Sequence, residues 1–468
     1  PNGAYSIHFD NGSGDVIFKN CKLYGWNSFG SSLNSVSFEG CSLNGNGTYA
    51  LIRSYVALSL TDCVINTTNA DATDGYSEGV EAVGGANLTE TNVVYEINNT
   101  TSIDKALQNG KNVVLTEDLT FSANDTTANS GYGATGVEVD GGVLDGNGNT
   151  LTVNNAWDTW DCAVNAVSGT IKNLTVSGAM RGIFMGSANG GIHLNFNSRN
   201  NLVDSNTCLY NGIGIYLENY CKNNTISNNT SSYNYGYYGV GIEVDWNGDN
   251  NTIIGNTCEY NNGSIEADES CGIEIRSNRT DTEHLIINSI VTNNKCRYNG
   301  KSGIHLGGNN TICSNNICEN NGTNLSFSET SDILIVGGEG VLLSQNTIQS
   351  FTSKATLRIK ESNKVFVKNN NIIGKGSTVN ILLLVESDNV YLTYNNFSGS
   401  STERRIVFYG SDDLKIKNIQ LISNLIDCPT NGYPVLEFNN VDTYRSKYNM
   451  FLADSKVIAW QCANELTD

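Results

Sequence analysis

The chain has 468 residues, more than one ordinary hydrophobic core holds, with 48 Gly and only 3 Pro. Gly suits tight turns, and scarce Pro leaves β-ladder hydrogen bonds intact. A formal net charge of −20, with no basic patch carrying interleaved aromatics, excludes nucleic-acid binding and opposes an unaided grip on anionic polysaccharide. No apolar run reaches membrane-spanning length and no signal peptide is present. The chain opens at Pro1 and reads as a processed or truncated piece of a secreted or cell-surface protein.

Residues 1–92 read as short regular rungs: AYSIHF, DVIFKNCKLYGW, SVSFEGCSLNG and VALSLTDCVIN. Cys21, Cys41 and Cys63 follow alternating strands at spacings of 20 and 22. Between about Asp71 and Asn92 the alternation fades. A helix is predicted next, near residues 101–109: Ile103, Ala106 and Leu107 share a face, and Asn109-Gly110 stops it. Either this helix caps a second coil that starts near residue 95, or it is inserted in a loop of one uninterrupted coil. The first alternative divides the chain into residues 1–92, the terminal rungs of a first segment, and 93–468, the main coil. Within the main coil, 93–190 supply the cap and early rungs, 191–322 the Asn-rich repeats and 323–468 the C-terminal rungs.

From Gly191 to Gly322 one three-phrase repeat recurs five times, with a period of 23 to 31 residues. The first phrase is a Gly-Ile-x-aliphatic strand: GIHLN from Gly191, GIYLE from Gly214, GIEVD from Gly241, GIEIR from Gly272 and GIHLG from Gly303. The second is an Asn-Asn-Thr-Ile-like turn and strand, degenerate at Glu283-His284-Leu285-Ile286 in the fourth copy. The third places Cys208, Ser231, Cys258, Cys296 and Cys318 shortly before an Asn turn. Three strands per repeat without a helix between them cannot form βαβ units, so consecutive repeats must stack with their strands parallel. Cysteines recurring at one rung position read as an inward stack of small apolar side chains. Cys162, Cys221, Cys271, Cys428 and Cys462 lie off these ladders and are free to pair.

These repeats resemble the right-handed parallel β-helix superfamily, the pectin-lyase-like fold, and residues 191–322 resemble its Asn-rich carbohydrate-binding and sugar-hydrolase repeats. The fold class expected is therefore all-β, a parallel β-helix solenoid. The resemblance leaves activity open, because the fold carries lyases, hydrolases, adhesins, tail spikes and metal-maturation proteins. Of the four tripeptide or dipeptide motifs of the family's pectin hydrolases, only Arg358-Ile359-Lys360 matches in place.

With Ile and the aliphatic residue of each Gly-Ile-x-aliphatic-x strand inside, the two x positions point outward. One outward ladder is then His193, Tyr216, Glu243, Glu274 and His305; the other is Asn195, Glu218, Asp245, Arg276 and Gly307. Glu243, Asp245, Glu274 and Arg276 are the candidate catalytic residues, for a polysaccharide lyase or glycosidase. Glu218, Glu243, Asp245 and Glu274 form a candidate hard-cation set, calcium before zinc, although no cofactor is required. His193, Tyr216, His305, Trp157 and Trp160 are candidate glycan contacts. The bland alternative is a solvated face on which an acidic protein stacks acids by chance. Tyr210, Tyr233, Tyr260 and Tyr298 form a further ladder, suited to sugar stacking if exposed and to packing if inward. The leading expectation is an extracellular or cell-surface β-helix for glycan binding, adhesion or self-assembly; an enzyme and a purely structural filament are the rivals.

Overall fold

Short strands joined by tight corners can bury their apolar side chains only by winding into a coil, and that is the architecture found. The structure, a computed structural model, describes residues 5–45, 51–67, 79–97, 100–122, 135–154, 162–178, 181–185, 198–265, 269–277, 284–351, 353–375, 380–399, 406–411, 413–428, 435–452 and 459–462. Every strand pairing within it is parallel, rung on rung. The chain is a right-handed parallel β-helix with one short helix among the described residues.

The main coil has three faces. The Gly-Ile strands form one, from Arg181–Met185 through Val240–Asp245, Cys271–Arg276 and Ser302–Leu306 to Ala459–Cys462. The strands after the Asn turns form the second, and the Cys-bearing strands are part of a third sheet of 13 strands. Ile215, Ile242, Ile273, Ile304 and Ile333 stack inside with no exposure. Gly precedes each of the first four because the rungs close on one another there. A Cβ on Gly272 would stand 2.6 Å from the Gly303 carbonyl oxygen.

The corners follow one rule: a residue in the left-handed conformation, then an Asn whose amide turns inward. Asn229 donates from its backbone N–H and its Nδ2 to Asn256 Oδ1, both at 2.9 Å, and from Nδ2 to the Val203 carbonyl at 2.9 Å. The same ladder runs from Asn206 to Asn449, so each buried amide is satisfied by the next rung. In the fourth repeat this corner logic corrects the expected phrase. Asn288, with φ 58°, and Ser289 lead into the strand Ile290–Thr292, while Glu283 lies outside the described residues.

Cys208, Cys258, Cys296 and Cys318 are fully buried in the third sheet, with Cys258, Cys296 and Cys318 in direct register. Of the cysteines off these ladders, Cys162, Cys221, Cys271 and Cys428 are buried.

The helix, Thr100–Gln108, ends in paired Schellman bonds, Gly110 N–H to Leu107 O and Lys111 N–H to Ala106 O, both 3.0 Å. The ladder Val64–Asn66, Val94–Ile97, Asn112–Leu115 continues straight past it. The four-stranded sheets that form the other two faces of the N-terminal rungs stop at Val80–Ala82 and Leu88–Thr91. The helix stands in the chain between two successive strands of the surviving face, and its Ile103 and Leu107 are buried in the common core. Two faces thus end before the helix and one runs past it.

Candidate functional site

An outward-facing strand residue in a soluble coil ordinarily meets water. On the Gly-Ile face the register places Tyr216 beside Glu243, Glu243 beside Glu274, and Glu274 beside His305. Asp245 lies beside Arg276, and Glu218 follows Leu217, the partner of Val244. The bland expectation of a solvated surface fails here. Glu243 is 1% exposed, Glu274 2%, Glu269 3% and Asp245 4%, whereas the Arg276 side chain is 47% exposed. Glu218, Tyr216 and Lys301 are buried as well.

Within this patch Arg276 is the bridging cation. Its Nη1 pairs with Glu269 Oε1 and stands 3.8 Å from Glu243 Oε1. His305 Nδ1 meets Glu274 Oε1 at 2.8 Å. The Tyr216 hydroxyl lies 3.4 Å from Asp245 Oδ2, and the Trp246 N–H donates to Asp245 Oδ1 at 2.9 Å. The Oε2 atoms of Glu243, Glu269 and Glu274 are buried with no hydrogen-bond partner among the described residues. Unpaired buried carboxylate oxygen is expensive, on the order of 1–3 kcal/mol per group.

The acids respond differently to the same enclosure. Burial, reinforced by Glu269, Asp245 and Glu274, holds the Glu243 carboxyl well above the usual range. Burial and then Glu274 push Glu269 up to about 8, against the pull of Arg276. Burial raises Asp245 to about 6, with Arg276 and the Trp246 N–H opposing. Glu274 goes the other way: burial would raise it, but His305, Lys301 and Arg276 together bring it below its ordinary value. The enclosure thus favours the protonated form of Glu243, Glu269 and Asp245 and the ionised form of Glu274.

Sequence reasoning brought Glu218, Glu243, Asp245, Glu274, Arg276, Tyr216 and His305 to this face, and the register unites them. It missed Glu269 and Lys301, which come from a connection and a corner. The Gly-Ile pattern carries no signal for either. His193, Asn195, Trp157 and Trp160 lie outside the described residues. The register position next to Tyr216 belongs to Phe184, not His193, because the strand Arg181–Met185 pairs there. A calcium ion fits the proposed oxygen set poorly. Arg276 already bridges Glu243 and Glu269, and Glu274 is committed to His305.

The Tyr ladder is exposed, yet its rings stack on each other: Tyr233 on Tyr260 at 5.0 Å and 7°, Tyr260 on Tyr298 at 5.0 Å and 13°. Ring faces between neighbours are covered, so the interior of the ladder offers edges and hydroxyls rather than platforms for sugar rings.

Residues 170–280, which include all four of the acids Glu243, Asp245, Glu269 and Glu274, match the model for a right-handed β-helix region. No curated protein matches the sequence. Among solved structures, the chain is similar to the Azotobacter vinelandii mannuronan C-5 epimerase AlgE4 A-module, at 12% identity and a TM-score of 0.51, covering 79% of this chain and 96% of that one. The A-module of AlgE6 from the same organism gives 16% identity and a TM-score of 0.40 over 77% and 91% of the two chains. The tailspike protein of E. coli bacteriophage HK620, solved with a hexasaccharide, gives 10% and 0.46 over 75% and 73%. By its coil, its register and the match over residues 170–280, this is a right-handed parallel β-helix protein.

Proposed function

We propose that this protein acts on a polysaccharide laid across the Gly-Ile face, cleaving it by acid–base chemistry at Glu243 and Asp245. One observation carries the reading: four carboxyl groups are buried on the outward side of a sheet, with three of their oxygens unpartnered. A coil needs no such arrangement for stability, since burying charge costs several kcal/mol per ion. Groups whose environments push their protonation apart are the usual basis of acid and base roles. Glu243, held neutral, donates its proton to the glycosidic oxygen. Asp245, ionised above about pH 6, draws a proton from the attacking water. The two stand two residues apart on one strand face, which is roughly 6.6 Å along the backbone. Arg276, half exposed above them, offers its guanidinium to sugar oxygens. The shared fold with a mannuronan epimerase module supports a polysaccharide as the ligand class. The net charge of −20 favours a neutral polymer over an anionic one. Such a polymer is met at the cell surface or outside the cell, where we place the activity.

The test is a panel of neutral and uronate polysaccharides, read by release of reducing ends and by affinity electrophoresis. Cleavage of a neutral polymer, rising through about pH 6 and lost in Glu243→Gln, is expected. Binding without turnover would leave only the glycan-binding half of the proposal. Neither binding nor cleavage by a folded protein overturns it.

A further inference from the structure

Beneath one edge of the acid patch lies a second donor set of different chemistry. Cys271, at the start of its strand, offers Sγ; Glu274, three residues on, offers a carboxylate oxygen; His305, one rung away, offers a ring nitrogen. These atoms all lie within 4.8 Å of one another. Cys271 and Glu274 are buried and His305 nearly so, its side chain 14% exposed. We propose that Cys271, Glu274 and His305 bind a borderline divalent transition-metal ion of the zinc class.

Three features support this beyond the proximity of the groups. The set is mixed, with sulfur, nitrogen and oxygen donors, which suits zinc or cobalt and not calcium or magnesium. His305 Nδ1 and Glu274 Oε1, hydrogen-bonded at 2.8 Å, need to open by only about half an ångström to reach the separation of two tetrahedral ligands with bonds of about 2.0–2.2 Å. Glu274 also keeps a second oxygen, Oε2, buried and without a partner among the described residues, so its carboxylate has unused capacity. Three protein ligands leave a fourth position open, the arrangement of zinc sites that admit water or substrate. The site shares Glu274 with the acid patch but uses neither Glu243 nor Asp245, and it stands whether or not that pair cleaves a glycan.

Cobalt(II) is the probe. The full chain, stripped with chelator and refilled, should retain about one equivalent after gel filtration and show a thiolate-to-cobalt charge-transfer band. Cys271→Ser should abolish the band, while Cys258→Ser, in the buried thiol stack, should leave it unchanged. His305→Gln, which keeps the thiol, should lose bound metal and serves if Cys271→Ser does not fold. Failure of the native chain to retain cobalt, or a band that survives in folded Cys271→Ser or is lost in folded Cys258→Ser, overturns the proposal.

Discussion

The Gly-Ile face carries two ion clusters in the same register, a few rungs apart, and they are built on opposite terms. In the C-terminal one, Glu329 is held by Lys360 at 3.0 Å and Arg358 at 3.6 Å. Burial there is outweighed by Arg358 and Lys360, and the carboxyl sits below its ordinary range. Arg358 and Lys360 are the ends of the Arg-Ile-Lys tripeptide that resembled a hydrolase motif, and here they neutralise one acid. In the Glu243 cluster the acids outnumber the fixed cations, three carboxylate oxygens lack partners among the described residues, and three carboxyls are pushed up. One cluster is balanced and explained by its own pairing. The other is unbalanced, and its cost needs a use.

The widest separation between the two should be in activity. Glu243→Gln removes the proton donor while keeping its size, and turnover of any glycan substrate should fall by about 10²–10⁴-fold. Glu329→Gln should leave turnover as it was. Equal losses from both would show that the cluster's imbalance has nothing to do with chemistry.

Much of this contrast could be read in the chain, and the part that could not has a physical reason. Alternation and the Gly-Ile register put Glu243 next to Glu274 without coordinates, because inside and outside positions are forced along a strand. The buried Cys stack and the Asn ladders followed from the same periodicity. What the pattern could not supply is burial of the outward side. That depends on where connections such as the one bearing Glu269 lie, and connections obey no period. Phe184 in place of His193 is a similar case: two Gly-Ile phrases nine residues apart compete, and only pairing decides between them. The helix misled for another reason. Helices of this kind usually cap coils, and nothing local reveals that one face of the coil continues past it.

Stability should separate the clusters next. Arg276→Ala leaves Glu243 and Glu269 without their shared cation, which for a fully buried pair costs about 3–5 kcal/mol. Because Arg276 is half exposed, a loss nearer 1–2 kcal/mol is expected. Arg358→Ala leaves Lys360 on Glu329 and should cost less. Chemical denaturation of both variants at neutral pH checks the order, and a larger loss from Arg358→Ala would reverse the reading.

The pH dependence should differ in sign. Asp245 and Glu269 have folded-state values, about 6 and about 8, above their ordinary 3.8 and 4.5. A raised acid holds its proton more tightly in the folded state, so its contribution is full below the ordinary value and is lost as pH rises through the folded one. Glu329, lowered, contributes above its ordinary 4.5 and loses that contribution as pH falls. Thermal stability should therefore decline as pH rises from about 4 through about 8. Glu269→Gln should flatten the alkaline part of that decline. Glu329→Gln should change only the acid side. A native profile that is flat from pH 5 to 9 would mean that water reaches these carboxylates freely.

The smallest effect expected of the native protein is its response to calcium, and the reason lies in Arg276. Hard cations need several ionised oxygens converging on one point. Here the converging point is taken by a guanidinium, Glu243 is held neutral, and one oxygen of Glu274 faces His305. Millimolar calcium should therefore leave the native melting temperature unmoved. Arg276→Ala changes the terms: the carboxylates lose the cation that favoured their charged form and hold protons more tightly without metal, and the vacated point is one that calcium can take by displacing those protons. An ion held only by the folded state stabilises it in proportion to the logarithm of its concentration. The variant should gain melting temperature with calcium where the native chain does not, and adding Glu243→Gln with Glu274→Gln should remove the gain. If the native chain itself responds to calcium as strongly as the variant, Arg276 is not the counter-ion of this cluster, and the contrast with the Glu329 cluster loses its basis.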